Sequence, residues 1–219
     1  MAVKTTDTFA GECTSCGKAG DMNYADENGP ICNGCAEPYI RERVKQICEA
    51  SSSKNPREIL DTLIADNLIA ARPLRFHIIV GSALAAAYRN SGGKIDLNTA
   101  LDEIMRRGAF IPPKACGHAG DCGSAVSTGI FFSVIADTHP LKEENWGELH
   151  MLTGSCLYDL GKIGGPRCCN RGANVSMGNA VKTVKRIFGV EMEWHEVQCT
   201  HQDANDKCIG GRCPFSPEC

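Results

Sequence analysis

Four cysteines near the N-terminus constrain this chain more than any other feature. Cys13-Thr14-Ser15-Cys16-Gly17 and Cys32-Asn33-Gly34-Cys35 are two CxxC knuckles, with residues 17–31 between Cys16 and Cys32. Knuckles at that spacing can bring four thiolates to the corners of a tetrahedron, the arrangement Zn²⁺ takes with Zn–S bonds of about 2.3 Å. The surrounding residues 1–36 are rich in Gly, Asp, Asn and Cys and poor in large aliphatics. Such a segment cannot bury enough apolar area to fold alone, so a metal would serve as its core. A zinc-ribbon-like module is expected over 1–36, with Cys13, Cys16, Cys32 and Cys35 as ligands. A rubredoxin-type iron site would use the same four residues, and spacing does not separate the two metals.

The remaining cysteines need the same kind of account. The chain holds 14 Cys in 219 residues. Met1 to Asp7 contains no apolar run and no small-residue cleavage site, so no export signal is expected there. A cytoplasmic, reducing setting follows, in which thiols read as metal ligands or redox groups rather than a disulfide framework. The formal charge is −3 and no basic block stands out. A nucleic-acid partner is therefore not expected. The longest uncharged apolar stretch, Cys122 to Ala136, is too short and too polar to span a bilayer.

Residues 37–198 read as a helical, Cys-rich domain, so the fold class is mostly α. Ile40, Val44, Ile47 and Cys48 recur at helical spacing between Pro38 and Ser51, which makes Cys48 a buried structural thiol. Asn55-Pro56-Arg57-Glu58 has the form of a helix start: cap, N1 proline, and a carboxylate three residues after the cap. That helix is expected to run through Ile59, Leu60, Leu63, Ile64 and Leu68. Arg75 to Asn90 is small and apolar and suits close helix packing, with His77 as a core or boundary histidine. A further helix is expected from about Asn98 to Arg107.

The informative segment is 116–189. Cys116-Gly117-His118-Ala119-Gly120-Asp121-Cys122-Gly123 opens a helix expected over Ser124 to about Ala136. After another helix, about Glu144 to Leu160, Gly164-Gly165-Pro166-Arg167-Cys168-Cys169-Asn170-Arg171 opens a third, about Ala173 to Phe188. One device thus occurs twice: a Gly-rich, Cys-bearing loop feeding a helix N-terminus. Helix N-termini present unpaired N–H groups and partial positive charge, which stabilise a thiolate or an anionic cluster.

Residues 199–219 read as a loop-rich tail folding back on those helix N-termini. Val190, Met192 and Trp194 alternate ahead of it and suggest a short strand. Cys199, Cys208 and Cys213-Pro214 suit iron–sulfur ligation or a second zinc site. Cys219 is expected to fray, and Asp203, Asn205 and Asp206 are expected to be turn residues.

From Cys116 onward these motifs resemble an uncharacterised cysteine-rich family found in anaerobic archaea and bacteria. The resemblance rests on Cys116 to Gly123, Gly164 to Arg171 and Cys208 to Pro214, and covers roughly 40–217. It implies an anaerobic, metal-binding context and carries no activity. Cys168 to Arg171, with Gly178-Asn179-Ala180-Val181-Lys182 after it, is also similar to the Cys-ligand loop of iron–sulfur serine dehydratases and cysteine desulfidases. That similarity implies three cysteines holding a [4Fe–4S] cluster with one iron open as a Lewis acid.

The expected function is an iron–sulfur protein, an enzyme of sulfur or small-molecule metabolism acting by desulfidation, sulfur transfer or elimination. The [4Fe–4S] ligands would come from Cys116 or Cys122, Cys168 or Cys169, and the tail cysteines Cys199, Cys208 and Cys213. His118 would move a proton, with Asp121 beside it, and Arg167 and Arg171 would hold a carboxylate. The partner would be a small-molecule substrate. The alternative is a non-enzymatic electron, cluster or sulfur carrier with a protein partner, or a zinc-stabilised interaction protein.

Overall fold

The computed structural model describes residues 2–71, 75–195, 197–203 and 205–218. The chain begins with a small antiparallel sheet: β1 (Val3–Glu12), β2 (Ala19–Asp26) and β3 (Gly29–Ile31), in spatial order β1-β2-β3. Met22 and Tyr24 are two apart on β2 and both are buried, as the two-residue strand period requires. Tyr24 pairs with buried Ile31 across the β2–β3 ladder. The first knuckle fills the β1–β2 connection, and the second joins β3 to the first helix.

Helix α1 (Asn33–Ala50) begins five residues before the expected Pro38. The Ala36 N–H donates to the Cys32 carbonyl at 3.0 Å, so Cys35 lies within the first helical turn. The buried stripe Ala36, Ile40, Val44, Ile47 and Cys48 belongs to the same hydrophobic core as Met22, Tyr24 and Ile31. The sheet is therefore packed on the helices and continuous with their core.

Helix α2 (Pro56–Ala65) starts where Asn55-Pro56 indicates, with the Asn55 Oδ1 accepting from the Arg57 N–H at 2.9 Å. It does not reach Leu68. Asp66 interrupts it and caps α3 (Asn67–Ala71), accepting from the N–H groups of Leu68 and Ile69 at 3.0 and 3.1 Å. Ending one helix and starting another satisfies donors that a continuous helix would have used internally.

Helix α4 (Phe76–Asn90) is the centre of the molecule. Residues Ile78 through Tyr88 are all buried, the pattern of a helix surrounded on every side. Around it lie α5 (Leu97–Gly108), α7 (Gly123–Ile135) and α9 (Cys169–Phe188), with the one-turn α6 (Ala115–His118) before α7. Asp96 caps α5, its Oδ1 accepting from the Thr99 N–H at 2.8 Å. Helix α8 (Trp146–Ile163) covers the outside of α7 and α9 over a second, smaller core of Ala125, Phe132, Ala136, Leu152 and Cys156. Arg186 on α9 grips Glu148 on α8 through both guanidinium nitrogens, at 3.0 and 2.6 Å.

No strand forms at Val190 to Trp194. Met192 is buried, the Trp194 indole lies against Gly178 of α9, and the Glu193 N–H donates to the Lys54 carbonyl at 3.0 Å. The alternating pattern records a segment laid across helices, with no strand beside it to complete a ladder. The tail is irregular apart from a 3₁₀ turn at Gly210–Arg212. Asn205 lies in a turn, accepting from the Lys207 N–H at 3.2 Å, and Cys219 lies outside the described residues. No helix among the described residues is long and apolar enough to cross a membrane.

Candidate metal centres

The ribbon thiols converge. The sulfurs of Cys13, Cys16, Cys32 and Cys35 all lie within 4.8 Å of one another, the one such group among the described residues. Cys16 Sγ and Cys32 Sγ are 3.8 Å apart. A tetrahedron with metal–sulfur bonds of about 2.3 Å has an edge of about 3.8 Å, so the donor set fits a single tetrahedral ion. The Cys32 N–H donates to Cys13 Sγ at 3.3 Å. That bond, ahead of others from the knuckle backbone, pulls the Cys13 thiol down to about 6. Cys32 is lowered in the same way, first by the Cys35 backbone. Cys35, crowded by the sulfurs of Cys16 and Cys13, is pushed up to about 12. Without a cation the four thiols compete for ionisation; a cation among them removes that conflict.

A second concentration of sulfur surrounds a cavity of about 530 Å³. Cys116 and Cys122 reach its wall from the two sides of the α6–α7 connection. Cys168 and Cys169 come from the start of α9, and Cys199, Cys208 and Cys213 from the tail. All seven thus line one cavity although 97 positions of sequence separate the first from the last (213 − 116). Cys122 is the N-cap of α7 and Cys168 the N-cap of α9, so two helix N-termini point their free N–H groups toward the same place. The Arg171 N–H donates to Cys168 Sγ at 3.5 Å and the His201 N–H to Cys199 Sγ at 3.4 Å. Burial pushes the Cys169 thiol up, opposed by the positive Arg167 and reinforced by the nearby Cys122, Cys168 and Cys116.

Two glycines make this convergence sterically feasible. A Cβ on Gly172 would lie 3.1 Å from Cys122 Sγ, a tight contact to which the thiol would have to yield by a few tenths of an ångström. A Cβ on Gly123 would lie 2.0 Å from the His77 ring, so α7 comes this close to the start of α4 only because that position is bare.

The other expected site residues divide. Arg167 and Arg171 line the cavity. The Arg171 guanidinium is buried and donates to the carbonyls of Gly164 (2.9 Å) and Pro166, which makes it a clamp on the loop that carries Cys168 and Cys169. His118 and Asp121 are exposed and do not belong to the cavity wall. The α6 turn closes on Ala115, whose carbonyl accepts from the N–H groups of Ala119 and Asp121 at 2.8 and 3.2 Å, and this carries His118 and Asp121 outward. The wall also contains His77, His201, Arg75 and Lys114, which the motifs did not single out as site residues. His77 begins a helix that reads as core, and only the Gly123 contact shows that its ring faces another chain segment. Cys48 and Cys156 are structural: burial raises them to about 12 and about 11, and their thiols donate to the carbonyls of Ser82 and Ser176.

A family model matches residues 44–216. The chain belongs to DUF5714, a family of unknown function. The DUF5714 segment contains all seven cavity cysteines, while the four ribbon cysteines lie ahead of it. No curated protein and no solved structure matches the chain.

Proposed function

We propose that the chain is an iron–sulfur protein with a zinc ribbon, and that the seven-cysteine cavity holds a [4Fe–4S] cluster on which a small molecule of sulfur metabolism reacts by desulfidation, sulfur transfer or elimination. The observation that carries this reading is the gathering of seven thiols from three separate segments around one cavity at two helix N-termini. A single ion needs its ligand sulfurs nearly in contact, as in the ribbon, whereas a cluster holds its cysteine ligands further apart. When bound, such a cluster supplies a Lewis-acidic iron if one of its four corners lacks a protein ligand.

The chain's own residues have definable tasks at this site. The N-terminal N–H groups of α7 and α9 offset negative charge on the sulfurs. Arg171 fixes the loop before α9. The imidazoles of His77 and His201 are the proton-transfer groups available at the wall, in place of His118. The ribbon, outside the family segment, suits docking to a protein partner. Cytoplasmic placement and an anaerobic setting accord with fourteen cysteines.

A second reading, a carrier of clusters or sulfur, is favoured by the exposure of Cys208, a wall cysteine open to a partner. Anaerobic purification followed by iron, acid-labile sulfide and zinc analysis tests both. Iron and sulfide near four per chain with about one zinc support the cluster; zinc alone, with no visible absorbance and no sulfide, overturns it. A cluster that passes readily to an apo-acceptor selects the carrier, and one that stays and changes its EPR signal with a substrate selects the enzyme.

A further inference from the structure

Resting on the cluster reading, we infer that the same cavity takes a small oxyanion, held by Arg75, Lys114 and Arg167. These cations reach the wall from three segments: the residue before α4, the residue before α6, and the loop before α9. The wall contains no Asp or Glu among the described residues. None of the three has a carboxylate partner there. Arg75 donates through Nη1 to the Ala70 carbonyl at 2.8 Å and lies over the Phe76 ring. Several other cations of the helical body do meet a carboxylate: Arg57 with Asp61, Arg107 with Glu103, Arg186 with Glu148 and Lys45 with Asp102.

A [4Fe–4S]²⁺ core held by three thiolates carries a single negative charge. Against it stand Arg75, Lys114, Arg167 and the buried Arg171. With the other four wall cysteines as neutral thiols, the cluster leaves a surplus of positive charge that a second anion balances. Guanidinium forks and an ammonium suit a compact oxygen anion, which two N–H groups of one Arg can grip together. Carboxylate, sulfur oxyanion and phosphate share the chemistry that this cradle recognises.

Calorimetric titration of the anaerobically purified full-length protein with acetate, sulfite and inorganic phosphate, at low and high salt, tests the inference. At least one probe should bind, more weakly at high salt, and the one that binds identifies the oxyanion class. Arg75→Gln, Lys114→Asn and Arg167→Gln should each weaken it about tenfold or more. Lys162→Gln, on the outer face of α8, should leave affinity unchanged. Lys114 and Arg167 are exposed, so their variants report on binding even if Arg75→Gln fails to fold. Binding by none of the three probes, or variants that bind as the parent does, overturns the inference. Calorimetry reads the anion whether or not iron is present, so a chain without iron or sulfide that still binds an anion through these residues refutes the cluster alone.

Discussion

Gly123 and His77 interlock: a β-carbon at Gly123 would lie 2.0 Å from Cδ2 of the His77 ring. The first residue of α7 is thus fitted to the second residue of α4, and the neighbouring Cys122 takes its position in the cavity wall from that fit. Gly123→Ala must displace the ring or the helix. We expect a loss of about 1–3 kcal/mol, the usual cost of overpacking, together with reduced iron loading. The double variant Gly123→Ala/His77→Ala should recover part of the stability, because the clash disappears with the ring. Thermal unfolding of the four members of the cycle measures this, and a fully stable Gly123→Ala would refute the contact.

Cys35→Ser should remove the ribbon's metal without emptying the cavity. The four ribbon sulfurs form a closed set, and the seven cavity cysteines come from other segments. Zinc analysis should fall from about one per chain to near zero. Iron should hold, and cleavage within residues 1–36 by trypsin should accelerate. Loss of iron in step with zinc would mean that the two centres are coupled.

Arg171→Lys should damage the cavity while keeping the charge. The guanidinium bonds two carbonyls at once, those of Gly164 and Pro166, and a lysine ammonium on a flexible stem does not reproduce that planar grip. The expected cost is about 1–3 kcal/mol and a partial loss of iron. Urea titration and iron analysis of the variant test it. An unchanged variant would show that charge alone matters at this position.

Glu103 links stability to pH. The guanidinium groups of Arg106 and Arg107 hold its carboxyl down at about 2, below the ordinary value of 4.5. A group with a depressed folded-state value stabilises the fold above its unfolded value and loses that contribution as pH falls through the folded one. Stability from this carboxylate should be full above about pH 4.5 and fade toward pH 2. Its side chain is 30% exposed, which limits the effect to about 1 kcal/mol. Wild type and Glu103→Gln should differ in urea midpoint at pH 7 and converge toward pH 2. A gap that persists at pH 2 would assign the difference to packing.

Cys48→Ala and Cys156→Ala should retain full iron and zinc. Both thiols are buried away from either centre and donate to backbone carbonyls. A fall in metal content for either variant would contradict their assignment as core residues.

Much of this molecule was legible because local chemistry writes itself into sequence. Asn55-Pro56 marks a helix start that the structure keeps, and Gly189, at φ 67°, is a left-handed helix stop that glycine permits. The CxxC spacing pointed to a tetrahedral set because both knuckles are short and each fixes two sulfurs. Val190 to Trp194 misled, since alternation reports burial on one side and not the presence of a partner strand. His118 and Asp121 lie in a cysteine loop and still face away, because sequence proximity does not fix which side of a one-turn helix meets the cavity. His77, His201, Arg75 and Lys114 belong to no motif, and their place on the wall depends on how segments meet.

The sequence by itself determined where α2 begins, that four thiols could share one ion, and that two further cysteine loops sit at helix N-termini. These follow from capping, periodicity and short-range spacing, which act within a few residues. Only the tertiary structure decided that the two loops and the tail surround one cavity, and which charged groups face it. That outcome depends on side-chain fit between distant segments, Gly123 against His77 and Gly172 against Cys122, and such contacts have no signature in any one stretch of chain.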